Sequence, residues 1–185
     1  PQFSPDCVAH YASQKLPAWY CGTIHNSYRW VKSPLFVIEN MFDTNQIFAQ
    51  MLAPVKPANT SQEQLLRKYV AYYGGLMRNS TAQVSAFGQR KPTKRGVKDG
   101  IFLSSCLEHG VGANTQIGGT GWVAVVGDWA FERDTMSHLV IDTCAMQEGL
   151  PCNPTCANMP PPSSSSTVSM PPPGASWSST MGHHG

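Results

Sequence analysis

The stretch that decides the fold is Pro34-Leu35-Phe36-Val37-Ile38, a short apolar run followed by a polar turn that contains Asp43. Its length and its branched side chains predict a buried strand, as in a parallel sheet. A second run of this kind, Gly100-Ile101-Phe102-Leu103-Ser104, precedes His109. Two buried strands separated by a long segment with helical spacing predict an α/β fold.

Two helices are predicted, one before and one after the second strand. Thr60 starts the first, because it precedes Glu63 by three residues as in a capping box, and apolar side chains recur at helical spacing after it. The glycine pair Gly74-Gly75 weakens this helix or ends it early. The second helix is predicted from about Trp122 to Arg133.

The composition favours a secreted domain. The chain has 185 residues, of which 41% are hydrophobic and only 13% are charged, about half the usual ~25%. The segment Cys152-x3-Cys156 is a poor match to a zinc site, so we predict disulfides, although spacing alone leaves their pairing open. Two sequons, at Asn59 and Asn79, are candidate glycosylation sites. The six cysteines are Cys7, Cys21, Cys106, Cys144, Cys152 and Cys156.

The sequence favours no nucleic-acid, membrane or metal function. The basic residues between Arg90 and Lys98 lack stacking aromatics or a known module, so a solvated loop is our interpretation. No apolar run approaches the ~18 residues needed to span a membrane. His183 and His184 lie in a low-complexity tail, and we expect no metal site there and no cofactor. The chain begins at Pro1 without an initiator methionine, so we expect further sequence upstream.

We predict two regions, a folded domain over residues 1–158 and a disordered tail over residues 159–185. From Met159 onward the chain has proline triplets, four consecutive serines and almost no charged or aliphatic residues. Such a segment buries too little apolar surface to offset the entropy lost on ordering.

Asp43 and His109 are the candidate catalytic residues, because each follows the end of a predicted strand. Sites in open α/β sheets collect at the carboxyl ends of strands. The order of acid before histidine is that of a hydrolase triad, whose histidine accepts a proton and whose acid orients the imidazole. On spacing alone, a structural role for both residues stays open. We interpret His10, His25 and His138 as structural or surface residues, and Asp128 and Glu132 as helix-surface ion-pair partners beside Arg133.

Four segments in the same order resemble motifs of the pectin acetylesterase/Notum family. Residues 32–43 resemble the acid-bearing strand and turn, and residues 100–109 resemble the histidine motif F-x-x-S-C-x-x-H. Residues 126–131, V-G-D-W-A-F, resemble a helix of the plant members, and residues 152–156, C-N-P-T-C, resemble the terminal motif. The resemblance implies the C-terminal portion of an α/β-hydrolase fold with a disulfide-stapled C-terminal loop.

The resemblance also implies roles and partners. Asp43 becomes the triad acid and His109 the general base, and the implied disulfides are Cys7–Cys21, Cys106–Cys156 and Cys144–Cys152. The serine of the family's G-x-S-x-G elbow is absent from this sequence. We therefore expect the chain alone to be inactive.

For the full-length protein, the resemblance implies a secreted or cell-wall serine carboxylesterase, expected to be monomeric and to need no cofactor. Its substrate is expected to be an acetylated polysaccharide such as pectin. Two alternatives stay open: a Notum-like deacylase of a lipid-modified protein, and a catalytically inactive extracellular binding protein.

Overall fold

A three-stranded parallel sheet organises the chain. The computed structural model describes residues 3–87, 98–144 and 150–157. Both apolar runs form strands as predicted. The strands are β1 (Phe36–Asn40), β2 (Gly100–Ser104), β3 (Gln116–Ile117), β4 (Thr120–Gly121) and β5 (Leu139–Ile141). The sheet order is β1-β2-β5, with β2 in the centre, and β3 and β4 form a separate antiparallel pair.

The α-helices are α1 (Pro5–Ser13), α2 (Ile24–Ser27), α3 (Thr60–Phe87) and α4 (Trp122–Ala130). Helices α3 and α4 pack against the parallel sheet, and α1 lies in a separate N-terminal cluster. All five residues of β2 are buried, as expected for the central strand of a parallel sheet. Short 3₁₀ turns lie at Ala18–Gly22 and Tyr28–Trp30, and a π-helical turn lies at Asn45–Gln50.

The long helix α3 differs from its sequence-based prediction in two ways. Its first turn is capped by Asn59, whose Oδ1 accepts a hydrogen bond from Gln62 N at 3.0 Å, so the capping residue is Asn59 and not Thr60 as predicted. The helix also continues past Gly74, where an added Cβ would lie 2.2 Å from Cε1 of Phe42. This glycine therefore serves packing, because it lets the fully buried Phe42 ring lie against the helix backbone.

The main core lies between β1, β2 and α3. Phe42 and the neighbouring Met41 are both fully buried in it, directly before Asp43. The turn that carries the candidate acid is therefore held by packing on the helix. The buried members of this core are Tyr28, Met41, Phe42, Ile47, Val70, Tyr73, Ile101 and Leu103.

Helix α4 ends at Ala130, earlier than predicted, and this changes the interpretation of Asp128. Asp128 is only 2% exposed, and its Oδ2 lies 2.8 Å from Nε2 of His138. Thr135 donates to the same carboxylate from its backbone N–H and its hydroxyl. The predicted helix-surface pairing of Asp128 is therefore wrong: this carboxylate joins the end of α4 to the residue that precedes β5.

The buried Asp128 predicts a pH dependence of stability. The hydrogen bond from Thr135 is the main cause that lowers the pKa of Asp128 from 3.8 to about 2. Because the folded-state pKa is depressed, its stabilisation is present above the unfolded value and is lost as the pH falls toward 2. We expect Asp128→Asn to lower the urea midpoint at pH 7 and to flatten its dependence on pH between about 4 and 2. Asp134→Asn, at an exposed aspartate, is the control and should change neither, whereas a variant profile parallel to wild type contradicts the assignment.

The structure pairs the six cysteines as the resemblance implies: Cys7–Cys21, Cys106–Cys156 and Cys144–Cys152. Both sequon asparagines, Asn59 and Asn79, lie on the surface. Within the described ranges, no helix combines the length and the apolar character needed to cross a membrane. The predicted tail and most of the basic segment, including Arg90 and Arg95, lie outside the described residues.

Candidate active site

Asp43 and His109 meet at the carboxyl edge of the sheet. Nδ1 of His109 lies 2.9 Å from Oδ2 of Asp43, although the two residues are 66 positions apart. β1 and β2 are parallel neighbours, with Asn40 beside Ser104, so the turns that follow them lie side by side. The predicted proximity of the two residues therefore follows from the strand register.

The two side chains have opposite environments. The Asp43 side chain is 4% exposed, whereas that of His109 is 66% exposed. Asp43 Oδ1 accepts a hydrogen bond from Gln46 N at 2.8 Å, in the way that an aspartate caps a helical turn. One carboxylate oxygen is thus held by the backbone and the other is left to orient the imidazole.

The other ring nitrogen of His109, Nε2, has no hydrogen-bond partner in the described part of the chain. A carboxylate at Nδ1 favours the tautomer that carries its proton there. Nε2 then keeps a free lone pair directed away from the acid. This arrangement is that of a general base whose proton donor is supplied from elsewhere.

A second strand-end carboxylate, Asp142, organises the C-terminal loop. Asp142 follows β5 directly and is 7% exposed. Its Oδ2 accepts hydrogen bonds from Asn153 Nδ2 at 2.7 Å and from Ser105 N at 3.3 Å. Ser105 precedes Cys106, which is bonded to Cys156, so the start of the histidine loop (residues 105–110) is joined twice to the C-terminal loop (residues 150–157). Asp142 was not predicted from the sequence, where its signal is a polar residue directly after a short branched run.

Glu39, in β1, is a further carboxylate near Asp43 and His109, and it too was not predicted from the sequence. Burial is the main cause that raises its pKa; the hydrogen bond from Asn40 N lowers the pKa and the Asp43 charge raises it. Burial also raises the pKa of the Tyr73 hydroxyl, and the charges of Asp43 and Glu39 raise it further, so Tyr73 stays protonated. Asp43 differs from Glu39 in having a direct bond to His109.

One grouping of potential metal ligands occurs in the described ranges: Cys106, Glu108 and Cys156. The two cysteines are joined in a disulfide, so neither sulfur offers a thiolate to an ion. Two other described histidines lie elsewhere: His10 packs on Trp30 near the N-terminus, and His138 is bonded to Asp128.

Comparison with known proteins agrees with the resemblance. The family model described as pectinacetylesterase matches residues 3–157. The chain belongs to this family. The range matched by the pectinacetylesterase model contains all three strands of the parallel sheet, together with Asp43 and His109. No curated relative matches the sequence.

A solved structure titled as the Wnt deacylase Notum from Drosophila resembles this pectinacetylesterase chain with a TM-score of 0.59 and 24% identity. The match covers 83% of this chain but 38% of the Notum chain. The likeness establishes the α/β-hydrolase fold, and the present chain corresponds to a minor part of that neighbour's length.

Proposed function

We propose that the full-length protein is a serine carboxylesterase in which Asp43 and His109 are the acid and the base. The observation that carries this proposal is the 2.9 Å contact of His109 Nδ1 with the buried Asp43, which leaves Nε2 available at the sheet edge. Membership of the pectinacetylesterase family supports it. The nucleophilic serine belongs to a part of the protein outside this chain, so the chain alone is inactive.

The proposed mechanism is acyl transfer. Nε2 of His109 accepts the serine hydroxyl proton as the serine oxygen attacks the ester carbonyl, and Asp43 stabilises the imidazolium that forms. The imidazolium then gives its proton to the departing alcohol, which leaves an acyl-serine. His109 next takes a proton from water, whose oxygen attacks the acyl carbon, and the proton returns to the serine as the acid is released. These steps need no cofactor.

We propose O-acetyl groups on a cell-wall polysaccharide such as pectin as the substrate, and an extracellular site of action. The family name supports an acetyl ester, and three disulfides in 185 residues suit an oxidising compartment. The Notum neighbour, titled a deacylase, supports a second candidate, hydrolysis of a longer acyl ester. The third alternative, an inactive binding protein, predicts hydrolysis of neither the acetyl nor the longer acyl ester.

The test uses the full-length protein. We expect acetate release from acetylated pectin, faster hydrolysis of p-nitrophenyl acetate than of p-nitrophenyl octanoate, and covalent labelling of one serine by a fluorophosphonate. A preference for the octanoyl ester favours the longer-chain deacylase. Absence of both hydrolysis and labelling overturns the esterase proposal and leaves the binding protein.

A further inference from the structure

A buried amide lies between the two strands that carry the candidate acid and base. Asn40, the last residue of β1, is fully buried. Its Nδ2 donates to the backbone oxygen of Gly110 at 2.7 Å and to that of Glu108 at 3.2 Å. These two carbonyls flank His109 on either side. The other end of the amide, Oδ1, accepts a hydrogen bond from the Ser104 hydroxyl.

These partners fix the orientation of the amide. Carbonyl oxygens only accept hydrogen bonds, so the group facing Glu108 and Gly110 must be the amide nitrogen, and the oxygen faces the hydroxyl. The Asn40 side chain therefore acts toward the histidine loop only as a hydrogen-bond donor. An ionised aspartate has the same size but no donor to offer.

Within this chain, the side chain of His109 contributes little packing that could hold the loop in place. It is 66% exposed, and Gly110 beside it has a φ of 78°, a left-handed conformation. Upstream, the Cys106–Cys156 bond fixes the loop three residues before His109. Asp43 lies three residues after Asn40, and its position is fixed by the packing of the neighbouring Phe42 against Gly74. One residue, Asn40, thus connects the acid-bearing strand directly to the backbone on both sides of the base.

We propose that Asn40 is a positioning residue that sets the distance between Asp43 and His109 and thereby the tautomer of His109. It acts by holding the carbonyls of Glu108 and Gly110. The proposal rests on the assignment of Asp43 and His109 as a functional pair, but its main test does not need the esterase reaction.

The main test measures the tautomer of His109 by ¹⁵N NMR of the full-length protein with labelled histidine. The measurement is made at about pH 9, above the ordinary histidine pKa of ~6.5. The signals are assigned by their loss in His109→Gln. Wild type should show the proton on Nδ1, which Asp43 accepts. Asn40→Asp should shift the population toward the Nε2–H form, and Asp43→Ala, which removes the acid, should do the same. An unchanged tautomer in Asn40→Asp overturns the proposal.

The matched control is Ser104→Ala, which removes the hydrogen bond at the other end of the same amide. It should lower the thermal midpoint but leave the tautomer unchanged, because both loop carbonyls keep their donor. If Ser104→Ala shifts the tautomer as far as Asn40→Asp does, the effect is general loosening and the specific role is refuted. Asn40→Ala, which adds no charge, replaces Asn40→Asp if the latter does not fold.

Kinetics provide a second readout. We expect Asn40→Asp to lower kcat about 10²-fold with KM roughly unchanged, since a misplacement of about 1 Å in a catalytic group has an effect of this size. If wild type has no esterase activity, the proposed function fails while the tautomer result still decides the role of Asn40. A normal kcat together with a shifted tautomer would contradict the link between position and catalysis.

Discussion

Replacing His109 by alanine is expected to abolish ester hydrolysis by the full-length protein without unfolding it. Loss of the base leaves the serine hydroxyl without a proton acceptor, and kcat should fall by about 10⁴- to 10⁶-fold. The fold should survive with a modest loss of stability, because the imidazole is no member of the hydrophobic core and its removal leaves the buried Asp43 with the hydrogen bond from Gln46 N. The measurements are p-nitrophenyl acetate hydrolysis and the thermal midpoint.

His138→Ala is the matched control for this prediction. His138 also bonds a buried aspartate, Asp128, but it precedes β5 and so lies at the opposite edge of the sheet. Its loss should lower the thermal midpoint and leave kcat within a few-fold of wild type. Residual activity near wild type in His109→Ala would exclude His109 as the base, whatever the result at His138.

The site could be anticipated from the sequence because it depends on local patterns. Each short apolar run ends in a polar turn, and parallel neighbours bring those turns together, so the nearness of Asp43 and His109 could be predicted, whereas their catalytic roles rest on the family resemblance and stay a prediction. Strand β5 could not be predicted, because Leu139–Ile141 is only three residues long and is recognised as a strand by its pairing with β2. A strand this short carries too little periodicity to be distinguished from a loop.

The supporting residues could not be anticipated, because their roles depend on contacts distant in sequence. Asn40 bonds carbonyls 68 and 70 positions away, and nothing in its neighbourhood indicates them. Gly74 was interpreted as a weakness of the helix, whereas the ring of Phe42 requires it. Asp128 was placed on a helix surface because the chain was expected to continue as helix, but it turns back after Ala130 and buries the carboxylate. Local propensity predicts elements; tertiary contacts decide what each polar or small residue in them does.

Asp43→Asn is expected to retain the fold and to lose about 10⁴-fold in kcat, with KM little changed. The asparagine oxygen can still accept from Gln46 N, so the turn keeps its hydrogen bond. Its amide nitrogen then faces Nδ1 of His109 and donates to it, which favours the proton on Nε2. An imidazole with its proton on Nε2 cannot accept the serine proton, so the base is intact but in the wrong tautomer.

Glu39→Gln distinguishes this role from a general effect of negative charge near the site. Glu39 lies four residues before Asp43, and the Asp43 charge contributes to the raised pKa of Glu39, but Asp43 makes the direct bond to His109. We expect Glu39→Gln to retain kcat within about tenfold, because removing a charge at a distance alters the field without changing the tautomer. If Glu39→Gln instead lost as much activity as Asp43→Asn, the acid would be a coupled pair of carboxylates. The single-acid mechanism proposed for this sheet edge would then be wrong.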